Sequence, residues 1–361
     1  MPGPLVCSRP VPKRAPGVEG EEDSVQAFVR RNPVWSLVIG LVLAIILWLV
    51  LAPWSEGMEE VLGRKRVFLN AFFGGITLGA LYFLVASGFT LIFGLMRNVN
   101  LAHGSLYLLG GYLGYEISER TGSWLIAFPA VFVIVAILGM ILQNQVFRRM
   151  EGEELRQTMV TIGLSVVLAD LMLWIWGGQS YTILTPDFLS GPAELPIVAG
   201  TNRAGETVYL RYPAVRIAIL IAAIVVGIAM WLVLNRTKLG MLVRAGVDDR
   251  DMLAASGVRI QYVFLVVFAF GAGLAGIAGI VGGTFQSLSP GEDTRFLLAS
   301  LVVVIVGGMG SIPGAAIGAV LIGLSEQMGL VYAPTYSVVF TFLIMAAVLA
   351  FRPQGLLGRA Q

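Results

Sequence analysis

Apolar runs long enough to cross a bilayer recur from Val34 to Phe351, parted only by short polar breaks. A helix needs about 20 apolar residues to cross the hydrocarbon core. Runs of that order occupy 34–52, 67–95, 124–147, 159–176, 214–234, 260–283 and 336–351, with a shorter one at 106–118. Inside a bilayer every backbone polar group needs a partner from the protein, so such runs fold as helices. The expected fold is an all-α polytopic membrane protein of about nine to ten transmembrane segments, some broken or re-entrant. Composition agrees, because 57% of residues are hydrophobic and only 13% charged, about half the charge of a soluble domain.

The same residues exclude whole classes of chemistry. Cys7 is the only cysteine, so neither an intramolecular disulfide nor a thiolate metal site can form. There is no Gly-x-x-x-x-Gly-Lys phosphate loop. No carboxylate pair, metal-ligand cluster or nucleophile–base arrangement stands out. An enzyme is not expected, and no cofactor, metal or nucleic acid is called for. Any ATP-driven step needs a separate subunit.

Residues 1–33 are polar and Pro-rich and read as a disordered cytosolic tail. The run 34–52, ended by Pro53, reads as a retained anchor rather than a signal peptide, because it lies late in the chain and is long. With its loop it makes an additional segment, 34–66, ahead of the main transmembrane domain, 67–361. The longest hydrophilic connection, 177–212, carries Pro186, Pro192 and Pro196, with Pro213 just beyond it. With the N-terminus inside, 1–33, 96–100, 148–158, 235–259 and 352–361 hold sixteen of the 24 basic residues. That is the cytoplasmic excess that sets the orientation of a multi-pass membrane protein. Arg64-Lys65-Arg66 then falls outside, against the trend. The apolar run 296–329 is broken at Gly307 to Gly314, and two half-helices there return the C-terminus to the inside.

The segment 235–260 is charged and wedged between two long apolar runs. Asp248 is placed to cap a short helix, Asp251 stands three residues on, and Val247 and Met252 have the spacing of a hydrophobic staple. Ala254 and Ala255 favour helix, and Gly257 stands where a helix stops. Such a helix is either a handle for a soluble partner or a plain connector, since a basic juxtamembrane loop also follows from the positive-inside rule.

Asn98, Asn100, His103 and Ser105 interrupt two apolar runs that leave no room for a real loop. Polar groups there are costly unless they face a cavity or one another. They read as the lining of a translocation path at a discontinuous helix. A tight turn with His103 bonded to a nearby carbonyl accounts for the same residues. Asp170 reads as a paired structural acid, or as a proton carrier with His103 in a secondary transporter. Glu116 and Glu326 sit near run ends and are expected to snorkel to the interface. Small residues recur every fourth position at Gly271, Ala275, Gly279 and Gly283, and again at Gly310, Gly314 and Gly318. Such stripes mark close helix packing, within the chain or against a second subunit.

Several motifs together carry a resemblance. The segment Asn70 to Tyr82, NAFFGGITLGALY, resembles the first segment of the LivH-type permeases of branched-chain amino acid ABC importers. Asn98-Val99-Asn100-Leu101-Ala102-His103-Gly104 is similar to that family's Asn-[Phe/Leu]-Ala-His-Gly motif. Gly307-Gly308-Met309-Gly310-Ser311-Ile312-Pro313-Gly314 resembles its Gly-Gly-x-Gly-Ser-x-Pro-Gly element, and Arg352 to Gly358, RPQGLLG, its terminal signature. The loop Arg244 to Val258 is similar to its ATPase-contacting loop. The resemblance covers roughly residues 67–359.

It implies an importer of two permease chains (a LivM-like second subunit or a homodimer), two cytosolic ABC ATPases and an extracytoplasmic binding protein. The coupling loop 235–259 would present Arg244, Ala245, Asp248, Asp249, Asp251, Ala254, Ala255 and Gly257 to an ATPase cleft. Gly307, Gly308, Gly310 and Ser311 join the four polar residues as translocation-path candidates. The same motifs occur in urea and short-chain amide permeases, so branched-chain amino acids are the expected cargo and those solutes the alternative.

Overall fold

The computed structural model describes residues 44–45, 47–52, 54, 57–59, 64–96, 98–201 and 207–358. The chain divides into two compact units, 1–59 and 60–361. In the first, 47–51 is helical and the Trp54 indole N–H donates to the Leu49 carbonyl at 2.8 Å. The expected tail 1–33 and most of the expected first span lie outside the described residues.

The second unit is almost entirely helical. Its helices are α1 (Lys65–Met96), α2 (His103–Thr121), α3 (Trp124–Gln145), α4 (Glu154–Trp176), α5 (Ala214–Arg236), α6 (Lys238–Asp248), α7 (Arg250–Ala255), α8 (Ile260–Phe285), α9 (Glu292–Gly307), α10 (Ile312–Tyr332) and α11 (Ser337–Phe351). Two of them form the core. The most apolar stretches of α1 and α8 are 89% and 78% buried inside the protein, against 11–28% for α3, α4, α5 and α11. The outer helices turn Ile134, Val167, Val225 and Val338 outward, as a ring facing lipid requires.

Glycines let α1 and α8 sit at the centre. A Cβ added at Gly110 of α2 would lie 2.3 Å from the Gly276 Cα of α8, and one at Gly279 would lie 2.0 Å from the Tyr107 carbonyl oxygen. On the other flank, Gly79 of α1 and Gly323 of α10 meet in the same way, the latter's Cβ 2.3 Å from the Gly79 nitrogen. Backbone-to-backbone crossings of this kind replace the hydrophobic driving force that lipid removes. The stripe Gly271, Ala275, Gly279 and Gly283 is wholly buried inside this chain. The second stripe is corrected. Gly314 and Gly318 pack on α9, but Gly310 has φ 80° and precedes α10 instead of lying on it.

Among the described residues seven helices are long and apolar enough to cross a membrane, fewer than the nine to ten expected. α2, diluted by glycine and polar residues, and α9, with only 16 residues, fall short of that measure, and most of the expected first span lies outside the described residues. The break after α9 also differs from two half-helices of one span. α10 has 21 residues and can cross alone. The connection sits beside Gly94, near the end of α1.

The hydrophilic connection holds structure that periodicity did not reveal. Strands β1 (Pro192–Thr201) and β2 (Thr207–Pro213) form an antiparallel hairpin. β2 alternates, with Leu210 and Tyr212 buried and Arg211 outward in an ion pair with Glu194. β1 alternates as well, from Pro192 to Ala199, although its pairing with β2 shifts register between Leu195 and Gly200. The Tyr212 hydroxyl hydrogen-bonds the Thr77 hydroxyl at 2.8 Å, which places the hairpin over one end of α1. The α6–α7 connector and the α9–α10 break lie toward the other end.

Candidate functional site

The polar interruption folds as a turn that starts α2. The Asn100 side-chain oxygen accepts from the Ala102 N–H at 3.1 Å, a local bond asparagine favours in turns. His103 is fully buried, and its Nε2–H donates to the Val85 carbonyl in the middle of α1 at 3.0 Å. Phe89 packs edge-on against the ring. Asn98 donates to the Gln157 side-chain oxygen and accepts from the Thr158 hydroxyl at 3.3 Å. The Ser105 hydroxyl lies 3.2 Å from an Asp293 carboxylate oxygen and 3.4 Å from the Ser165 carbonyl.

All four expected path residues are therefore buried and bonded to protein. They tie α1, α2, α4 and α9 together, as the tight-turn reading expects. Gln157 and Ser165, which bond Asn98 and Ser105, and Thr161, whose hydroxyl accepts from the Leu101 N–H at 3.2 Å, recur every fourth residue on α4 as a polar stripe. Asp170 is exposed on α4, so it forms no relay with buried His103.

Gly307, Gly308, Gly310 and Ser311 build the link between α9 and α10. Ser311 caps α10 by accepting from the Gly314 N–H at 3.1 Å. Gly308 has φ 102°, and a Cβ there would lie 2.3 Å from the Gly358 nitrogen. The terminal signature thus docks on the break, with the Leu356 and Leu357 N–H groups donating to the Val306 and Gly307 carbonyls at 2.8 and 3.0 Å. Two motifs far apart in sequence make one structure.

The 235–260 segment forms two helices, α6 and α7. Thr237 caps α6 by accepting from the Gly240 N–H at 3.1 Å, and the Arg244 guanidinium reaches back to Asn235 at 3.1 Å. Val243 and Gly246 face inward, while Met241, Arg244 and Ala245 are exposed. The expected cap moves by one residue. Asp248 ends α6, and Asp249 caps α7, its carboxylate accepting from the Met252 N–H at 2.9 Å. That shift puts Asp251 inside the first turn, off the capping-box position. Met252 is 73% exposed and makes no staple, while Leu253 is buried. Ala254, Ala255 and Ser256 are exposed too, and Gly257 ends the helix with φ 86°. Asp249→Ala should weaken α7 by about 1 kcal/mol. Faster amide hydrogen exchange at Met252, with α6 unchanged, would show it.

A charged cluster within the helical bundle is not visible from run ends alone. Glu326 does not snorkel alone. It accepts from the Tyr82 hydroxyl at 2.6 Å and pairs with Arg295 at 3.2 Å. Glu116, by contrast, pairs with Arg120 in an exposed position.

Residues 71–349 match the family model described as branched-chain amino acid transport system / permease component. The chain is 26% identical over 309 residues to the high-affinity branched-chain amino acid transport system permease protein BraD of Pseudomonas aeruginosa, covering 81% of this chain and 97% of that protein. It is 27% identical over 306 residues to the permease protein LivH of Escherichia coli K12, covering 81% and 96%. The LivM permease protein of the same organism is 25% identical over 295 residues, covering 78% and 68%. No solved structure matches the chain.

Proposed function

Since this chain belongs to the family of permease components of branched-chain amino acid transport systems, we propose that it carries branched-chain amino acids across the inner membrane as one permease of an ATP-driven importer. Its relatives are transport permeases, not enzymes. The proposed assembly pairs it with a LivM-like chain or a second copy, two cytosolic ATPases and an extracytoplasmic binding protein. Similarity to both LivH and LivM supports the pairing. In this arrangement the hairpin faces outward, and the N-terminus, α6, α7 and the terminal turn face the cytosol. Urea or a short-chain amide is the alternative cargo.

The observation that carries the coupling part is the α6–α7 connector. A helix capped at both ends, with its outward face exposed between two spans, is built to be held by something else. ATP hydrolysis requires such a handle, because the chain lacks a phosphate loop. Co-purification with candidate ATPases, followed by hydrolysis assays in lipid, tests the reading. Hydrolysis should rise several-fold when leucine-loaded binding protein is added. A chain that purifies alone and takes up solute on a proton gradient would overturn it.

A further inference from the structure

Arg295, near the start of α9, gathers four groups from three segments. Its Nη1–H donates to the Gln286 side-chain oxygen at 3.1 Å and to Glu292 at 3.4 Å, and its Nη2–H donates to Glu326 of α10 at 3.2 Å. The guanidinium also lies over the Phe296 ring, 5.7 Å from its centroid. Tyr82 of α1 holds the other Glu326 oxygen. Asp293, buried beside them in sequence, bonds the Ser105 hydroxyl.

Helix geometry gives the depth of this network. Gly94 and Gly310 touch at the connector end of the bundle. From there, at 1.5 Å per residue, Tyr82, Arg295 and Glu326 each stand about 18–21 Å inward along α1, α9 and α10. From the hairpin end, Thr77 is bonded to Tyr212, and Tyr82 lies about 8 Å deeper. In a hydrocarbon core of about 30 Å, the charges sit well inside the membrane on its hairpin side. Among the described residues, the ion pairs Arg120–Glu116, Arg156–Glu153 and Arg211–Glu194 stand at helix ends or on the hairpin.

The network is not sealed. The Arg295 side chain is 40% exposed, on an α9 face shared with Thr294 and Leu298. Charges at that depth are not tolerated against lipid and face water or protein instead. The carboxylates also outnumber the cation, three (Glu292, Asp293, Glu326) to one (Arg295). That surplus favours a solute carrying an ammonium group, while the Arg295 fork suits a carboxylate. Urea and simple amides need neither.

We propose that this α9–α10 face lines the water-filled path between the two permease chains. There Arg295 takes the carboxylate of the amino acid in transit, and Glu292 and Glu326 take its ammonium. The solute's chemistry rests on the amino acid cargo proposed above; the wet face does not.

Two experiments test it. In the assembled importer, with Cys7→Ser as background, Thr294→Cys should react with a charged, membrane-impermeant maleimide, while Val225→Cys on the lipid-facing side of α5 should not. Absence of labelling at Thr294 overturns the wet face. In proteoliposomes, Arg295→Gln and Glu326→Gln should each lower leucine uptake at least about tenfold, with undiminished recovery of the complex. The exchange Arg295→Glu with Glu326→Arg should assemble without restoring uptake. Uptake within twofold of the parent in both neutral variants, or full rescue by the exchange, would make the pair a structural tie and overturn the solute contact. If a neutral variant fails to assemble, the labelling result alone decides. A parent complex that moves urea in place of leucine would instead refute the cargo reading, and labelling would still test the wet face.

Discussion

Gly279→Leu should leave little folded chain in the membrane. A Cβ at this position would lie 2.0 Å from the Tyr107 carbonyl oxygen and 2.5 Å from the Gly111 nitrogen. Both are backbone atoms of α2, so no rotamer change relieves the clash and the helices must part. α8 is the partner of both α2 and α3 in the core, and separation there loosens three helices together. The expected cost is on the order of 3 kcal/mol or more. It is read as a lowered thermal midpoint and loss of the monodisperse peak in detergent. Gly163→Leu on α4 is the matched control, since nothing lies within 4 Å of a Cβ there. Equal behaviour of the two variants would refute the close crossing.

Met252→Glu should spare the fold and stop transport. Met252 is exposed at the tip of α7, so a charge there meets water in the free chain. Neither the Asp249 cap nor the buried Leu253 is touched. If α7 docks in an apolar ATPase cleft, the carboxylate is desolvated on docking. Loss of a central anchor of this kind costs at least about tenfold in binding. Co-purified ATPase and leucine uptake should fall together, with the thermal midpoint unchanged. Gly257→Pro reaches the same end by another route. The Gly257 N–H donates to the Ala254 carbonyl at 3.0 Å with φ 86°, and proline supplies neither the donor nor that φ. Normal uptake in both variants would show that α7 is only a connector.

Gly279→Leu and Met252→Glu probe features that differ in how far the sequence exposes them. The short helix was legible from Asp, Ala and Gly in order, because capping is local. Its cap was displaced by one residue, since adjacent aspartates at 248 and 249 satisfy the same rule. The close crossing was half legible. The four-residue stripe on α8 announced tight packing, yet the equally close pair Gly79 and Gly323 lies on two helices that only the fold brings together.

The polar residues divide in the same way. Asn98, Asn100, His103 and Ser105 stood out because polarity between apolar runs is costly anywhere in a membrane. Which partners Asn98, His103 and Ser105 find is a tertiary matter, and here they are Val85, Gln157, Thr158 and Asp293, while the Asn100 oxygen bonds locally to the Ala102 N–H. Glu326 looked like a snorkelling end residue because α10 alone does not show that Tyr82 and Arg295 stand beside it.

The sequence by itself determined the class of the molecule: helices in a bilayer, a charged connector with a capped helix, and no phosphate loop. These follow from short-range rules of hydropathy, capping and residue chemistry. Only the tertiary structure decided that the terminal signature closes the α9–α10 break, and that one arginine meets carboxylates from both α9 and α10. Those outcomes depend on contacts between residues far apart in the chain, where spacing along the chain carries no information about distance in space.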